Sequence, residues 1–313
     1  MRPDRNTWLF LLLCAIWGST WIGIKAGVDA VPPLFFAGTR FTAAGLILLG
    51  FSAWQGSARI ARRDWGRAAA CALLMITLCY GPLFWGMRHI DSGTAAVLEL
   101  GLTPVALLGF ALALREERFA RIKILAIGMG LGGLVVLFGP VAAESWTSGD
   151  RDASLQVWGA LAVASAAIIY GAGSVVARPL LRTYPSTLLA GATTLIGGIA
   201  LLALSFAFEP ESVQALRGDW GWAAWSGWVF LVLFGSLVGY TIYMQLLRDI
   251  GASRAGAYAF VSPVIAVGLG VMVMGETVSL LDGIGMVILL AAAWLAMTGK
   301  QAPPEIERTA QVS

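Results

Sequence analysis

From residue 7 onward the chain is a succession of apolar runs about 20 residues long, separated by short polar breaks. Ten such runs stand out, at about 7–28, 33–54, 67–87, 93–114, 121–139, 155–177, 186–207, 223–247, 253–274 and 280–299. A helix needs roughly 20 apolar residues to cross a hydrocarbon core of about 30 Å. Each run therefore predicts a membrane-spanning helix. Barrel strands would alternate in polarity over about 10 residues instead. The expected fold class is an all-α membrane protein with ten transmembrane helices. Three breaks are longer: 55–66, 140–154, and 208–222 with Glu209, Glu211, Arg217 and Asp219. The tail 300–313 is polar and expected to be disordered. Arg2 and Arg5 precede the first run as they would in a signal peptide. That run exceeds the about 7–15 residues of a signal's apolar stretch, and no small-residue cleavage pattern comes before Lys25. It predicts a retained first helix.

Composition agrees with the pattern. Of 313 residues, 58% are hydrophobic and 12% charged, against about 25% charged in a soluble domain. Mean hydropathy is +0.79. So little charge excludes an ordinary soluble enzyme and a disordered chain. A net charge of only +3 makes a nucleic-acid groove unexpected. Cys14, Cys71 and Cys79 all lie in apolar runs, and His89 is the single histidine. They supply neither a disulfide framework nor the roughly four N/S ligands of a zinc site. No metal, no cofactor and no catalytic residue is expected, because no acid–base constellation or Walker motif is present.

Lys and Arg set the expected orientation. With the N-terminus in the cytoplasm, 16 of the 21 basic residues fall in cytoplasmic segments. Only Lys25, Arg88, Arg151 and Arg217 fall outside, and Arg40 lies within a span. Both termini should be cytoplasmic.

An internal repeat changes the picture most. A shift of 153 residues carries Trp17 onto Tyr170, Gly18 onto Gly171, Lys25 onto Arg178, Pro32 onto Pro185, Gly38 onto Gly191 and Gly45 onto Gly198. Shifts of 160 and then 159 carry Tyr80 onto Tyr240, Arg88 onto Arg248, Pro104 onto Pro263 and Glu117 onto Glu276. The expected units are 1–150 and 151–313, each with five spans. Five is odd, so the second unit should be inverted in the membrane. Inverted repeats are typical of secondary transporters, with the binding site near the midplane between them.

The residues also carry a family resemblance. The first span reads Trp17-Gly18-Ser19-Thr20-Trp21. Pro32 opens the second span and Arg40 lies inside it. Pro104 precedes Glu117, and a glycine-rich fifth span follows with Gly128, Gly130, Gly132 and Gly133. Pro263 and Glu276 repeat the Pro104 and Glu117 spacing. Over about 7–299 this resembles the drug/metabolite transporter superfamily, in its ten-helix branch with two EamA-type repeats. The chain looks most like the YddG-type amino-acid exporters. The resemblance implies a multi-pass carrier of the bacterial inner membrane that exports small metabolites, amino acids and aromatic ones in particular. Thr193 stands where Arg40 would recur, so a role for Arg40 cannot be assumed symmetric.

Ionisable groups within a membrane are costly, at about 2.5–3.5 kcal/mol on insertion scales, and point to function. Arg40 and Glu99 are the deep ones, each roughly 10 Å from the same end of its helix. They are read either as a structural ion pair or as separate groups, with Glu99 meeting a cargo amino group or a proton. The repeat-related polar and aromatic positions are the expected cavity lining. Trp17 pairs with Tyr170, Tyr80 with Tyr240, Glu99 with Tyr258, and Thr103 with Ser262. Such side chains join apolar walls to a few polar tips. Pro82, Pro104 and Pro263 are candidate kinks or hinges. Lys25 is expected to snorkel to the outer interface. Glu117 and Glu276 should serve helix-end packing, and Arg88 and Arg248 should cap carbonyls. Trp220, Trp222, Trp225 and Trp228 are expected in the interfacial belt.

The partners expected are a small-molecule substrate and the lipid bilayer. A monomer is the expected functional unit, and a dimer is compatible with the sequence. Phosphorylated or nucleotide-linked cargo, or a passive channel, are the competing functions. Phosphate cargo would call for more cationic groups than Arg40. The orientation has a direct check. A reporter active only outside the cytoplasm, fused after residue 313, should give no signal, and a strong signal would overturn both the topology and the inversion.

Overall fold

The structure is a computed structural model that describes residues 5–56, 59–113, 121–148, 150–243, 246 and 258–297. Ten helices follow the ten apolar runs. They are α1 (Arg5–Val28), α2 (Pro33–Trp54), α3 (Arg62–Gly86), α4 (Ser92–Ala113) and α5 (Arg121–Ser148). The second set is α6 (Arg151–Thr183), α7 (Ser186–Phe208), α8 (Gly221–Tyr243), α9 (Tyr258–Met274) and α10 (Leu280–Met297). Among the described residues, eight of these are long and apolar enough to cross a membrane, while α9 and α10 are shorter apolar helices. The protein is an all-α, multi-pass membrane protein.

Local chemistry starts these helices. Pro32 and its repeat partner Pro185 occupy the N-cap positions of α2 and α7. There the missing N–H and fixed φ cost nothing. Asp150 caps α6 by accepting from the Asp152 N–H at 3.1 Å.

The long break expected at 140–154 is nearly all helix. α5 continues through Pro140 to Ser148, and α6 begins at Arg151. The polar residues there mark where apolar surroundings stop, not where hydrogen bonding stops. The prolines expected to hinge the bundle lie inside continuous helix: Pro82 in α3, Pro104 in α4, Pro263 in α9. The irregular turns are elsewhere. They are π-helical segments at Leu73–Thr77, Leu231–Val238 and Gly270–Met274. The first two occupy repeat-related places in α3 and α8.

The packing shows the inversion. α2 packs most extensively on α7, and α5 on α10. Exchanging α1–α5 for α6–α10 maps each of these interfaces, and α4 with α9, onto itself. The same exchange turns α3 with α6 into α1 with α8, and α4 with α6 into α1 with α9, and all four are well packed. Direction follows from the ends. Glu209, just past the C-terminus of α7, bonds the N-terminus of α2, and Glu276, just past α9, bonds the N-terminus of α4. Repeat-related helices therefore run antiparallel.

Glycine permits the α2–α7 contact. A Cβ on Gly45 would stand 2.5 Å from the Leu195 nitrogen, and one on Gly198 would stand 2.5 Å from the Thr42 nitrogen. Gly38 and Gly191 meet Leu202 and Leu49 in the same reciprocal way. Without side chains the two backbones come into van der Waals contact, as small residues allow in membrane bundles. Gly45→Ala should destabilise the purified protein by about 1–3 kcal/mol, as overpacking does. Gly128→Ala, on a glycine with nothing within 4 Å, should not. Thermal melts of the two variants side by side check this, and equal melting temperatures would refute the seam's importance.

Candidate functional site: a central cavity closed at one end

A cavity of about 210 Å3 lies between the two repeats. This is below the roughly 300–1,000 Å3 of drug-sized sites and suits a small metabolite. Its walls come from α1, α2, α3, α4, α6, α7, α8 and α9. Apolar side chains such as Trp21, Ile24, Phe41 and Leu100 form most of the wall, with Arg40, Glu99 and five tyrosines set into it.

The aromatic cluster is built by α1, α8 and α9. The Trp17 ring packs edge-on against Tyr258, with centroids 4.6 Å apart, and lies 5.2 Å from Tyr243. Trp17 Nε1 donates to the Gly235 carbonyl at 3.2 Å. Gly235 sits in the π-helical segment of α8, where the helix's own ladder is altered. Thr103 Oγ1 donates to the Glu99 carbonyl one turn back at 2.8 Å and lies 3.4 Å from Glu99 Oε1.

Arg40 is 6% exposed. Its guanidinium carbon lies 4.6 Å from the Phe41 ring centroid, 6.0 Å from Tyr80 and 5.9 Å from Phe84. Nε and Nη1 are buried without a hydrogen-bond partner. No ion pair joins Arg40 to Glu99. Ion pairs form elsewhere, between Lys25 and Asp29 and between Arg63 and Asp64. Equal depth along two helices sets the distance from a membrane face, not the separation in the plane.

The cavity has one closed end. It begins near Ile24 and Leu83 and reaches Leu181, close to the end of α6, and Leu189, close to the start of α7. Leu181 is itself 42% exposed. At the opposite end, where α1 terminates at Val28, a dry layer covers it: Phe35, Phe36, Phe84, Met87 and Trp220 are buried together. Trp220 stacks on Trp225 at 4.2 Å and stands edge-on to Phe35.

Three polar clamps tie that layer. Glu209 accepts from the Leu34 and Phe35 N–H groups at 2.9 and 3.1 Å. Glu276 accepts from Ser92 and Gly93 at 2.7 and 3.1 Å. Both carboxylates satisfy free helix N–H groups and meet the positive end of the helix dipole. Lys25 donates to the Met87 carbonyl at 3.0 Å, at the C-terminus of α3. Beside the second clamp, burial and the nearby Glu276 raise the Asp91 carboxyl above its ordinary value.

Of the residues expected at the cavity, Trp17, Tyr80, Glu99, Thr103, Tyr170, Tyr240 and Tyr258 all line it, and so does Arg40. Ser262 does not. It is fully buried and donates to the Cys14 carbonyl at 3.3 Å, tying α9 to α1. Lys25 pairs with Asp29 at the end of α1 and also donates to the Met87 carbonyl, so it, not the exposed Arg88, caps α3. Trp220 and Trp228, expected in the interfacial belt, direct their indole N–H groups into the protein, donating to the Ala215 carbonyl and to Thr39 Oγ1. Trp222 is 86% exposed. Glu117 and Arg248 lie outside the described residues.

Tyr243 was not anticipated. Its signal is its position one helical turn after Tyr240, with cavity-lining Leu83 as its repeat partner. Thr193 is on the wall too, at the place the repeat would give to a second arginine.

An inverted-repeat helix bundle around a central cavity is the architecture of a membrane transporter. Residues 6–139 and 157–298 each match the EamA-like transporter family, and the chain belongs to it. It is 31% identical over 289 residues to the uncharacterized inner membrane transporter YedA of Escherichia coli strain K12, spanning 92% of this chain and 89% of that one. It is 25% identical to the uncharacterized transporter YoaV of Bacillus subtilis strain 168, over 90% and 92% of the two chains. A crystal structure 21% identical in sequence shares the fold with a TM-score of 0.62, covering 94% of this chain and 97% of that one.

The closed end can be probed with thiols. In a Cys71→Ala background, Leu181→Cys should react with an impermeant maleimide applied to the membrane face that bears Arg5. Met87→Cys should stay unmodified from the other face. Modification of Met87→Cys at the rate of Leu181→Cys would show that the closed layer is not a barrier.

Proposed function

We propose that the protein is a secondary carrier that exports small amino acids and related metabolites, aromatic ones included, by alternating access. Its cargo site is the central cavity, with Trp17, Tyr80, Glu99, Thr103, Tyr170, Tyr240 and Tyr258 as contacts. The observation that carries the reading is Glu99. Its carboxylate lies in the cavity wall with no cation beside it among the described residues, next to aromatic rings. A cargo ammonium would supply the missing charge, and tyrosine and tryptophan faces suit both a cation and an aromatic side chain.

The direction follows from orientation. If the 16-to-4 distribution of Lys and Arg places the Arg5 end in the cytoplasm, the cavity reaches toward that side and is shut on the other. Such a state loads from within. The closed layer argues against a passive channel. Arg40 alone favours the second reading, a phosphorylated cargo. Among the described wall residues it is the single basic one, and a phosphate dianion would share the cavity with the like charge of Glu99.

Glu99→Gln keeps shape and hydrogen-bonding capacity while removing the charge. A charge-assisted hydrogen bond contributes about 1.5–3 kcal/mol, so uptake of amino-group substrates into proteoliposomes should fall roughly 10- to 100-fold. The variant should remain inserted and monodisperse, because no Arg40 ion pair is broken. Undiminished transport by this well-folded variant would remove Glu99 from the cargo site.

A further inference from the structure

The cavity holds a second, opposite pole that the reading above leaves idle. The geometry points to Arg40 as a carboxylate-binding site, so that the carrier selects cargo by an acid group as well as by its amine. This inference rests on the cavity being the cargo site.

The observations concern one guanidinium. A buried cation without a partner is strongly unfavourable, and proteins normally pair it. Arg40 is more than nine-tenths buried, yet Nε and Nη1 have no hydrogen-bond partner and no carboxylate stands against it. Phe41, Tyr80 and Phe84 surround it with ring faces and edges. Rings attract the charge but accept few of its N–H donors. The third nitrogen, Nη2, lies beside Gly235, where a Cβ would stand 3.6 Å from it. A bare backbone leaves that corner open beside the cavity wall. Thr193, at the repeat-related position, bonds its own helix carbonyls and offers no second cation.

Planar guanidinium matches planar carboxylate through two parallel hydrogen bonds. A monocarboxylate bound here neutralises one buried cation with one anion. A phosphate dianion leaves a net negative charge in the same wall that holds Glu99. Arg40 and Glu99 both stand in the cavity wall, so each charged end of a zwitterion has a group of opposite charge in the same space. Tyr80, whose ring lies 6.0 Å from the Arg40 guanidinium, lines the same cavity as Glu99.

Four aryl probes separate the groups: L-phenylalanine, 3-phenylpropanoate, phenethylamine and phenyl phosphate. Binding is measured by calorimetry on the full-length protein in nanodiscs, for wild type, Arg40→Gln and Arg40→Lys, together with melting temperatures without ligand. The proposal expects wild type to bind phenylalanine and 3-phenylpropanoate at least tenfold more tightly than phenyl phosphate. Arg40→Gln should weaken both carboxylates at least tenfold and leave phenethylamine unchanged. Arg40→Lys, a point charge without the fork, should fall between. Removing an unpaired buried charge should also hold or raise the ligand-free melting temperature, as is common where a residue serves function over stability.

A wild type that binds neither carboxylate overturns the proposal. Equal loss of phenethylamine does so as well, and so does a markedly lower melting temperature of Arg40→Gln with carboxylate affinity intact in Arg40→Lys. Failure of the amino-acid reading looks different. Wild type would then bind 3-phenylpropanoate through Arg40 and not phenylalanine.

Discussion

Between α2 and α7, two helix backbones touch where four glycines leave no side chain in the way. Everything on either side of that seam is arranged by it. Lipid gives helices little hydrophobic reason to associate, so close packing has to do the work. Because Gly38 and Gly45 lie one repeat length from Gly191 and Gly198, the contact is reciprocal, and it sits on the pseudo-two-fold relating the halves. The cavity opens beside this seam. α2 contributes Arg40 and Phe41 to its wall, and α7 contributes Leu189, Ala190, Thr193 and Thr194.

Symmetry of the seam contrasts with the ends of the bundle. The Val28 end is held by carboxylates on helix N-termini, an amine on a helix C-terminus and a layer of rings. The Arg5 end carries a different tie. There Tyr184 donates to Asp64 and accepts from the Ala61 N–H, linking the end of α6 to the start of α3. No acid stands at the position one repeat before Glu209, which is Gly56. Glu276 and Lys25 do have repeat partners in the sequence, Glu117 and Arg178, so the clamp without a counterpart is Glu209.

Much of this was legible in the sequence, for physical reasons. Helices that must pair every backbone group inside a membrane show as long apolar runs, and all ten were visible that way. Repeat arithmetic found most of the cavity tyrosines because a two-fold places related residues on one central space. What it could not find was azimuth. Arg40 and Glu99 were at one depth and did not meet. Ser262 shared a repeat position with Thr103 and turned into the α1 contact. Trp220 stood where an interfacial residue stands, but the chain doubles back through Gly218 and Gly221, both at φ 79°, and brings it inside. Tyr243 had no partner of its own chemistry and so gave no repeat signal.

The π-helical segments of α3 and α8 bear on which way the wall residues beyond them point. Each such turn houses one residue more than an α-turn. That surplus behaves like a dislocation in a crystal. It turns the stretch of helix beyond it by about 100° relative to an unbroken α-helix. Tyr80 and Tyr240 lie just beyond the two dislocations. The two surplus residues thereby set the direction in which these cavity-lining rings face.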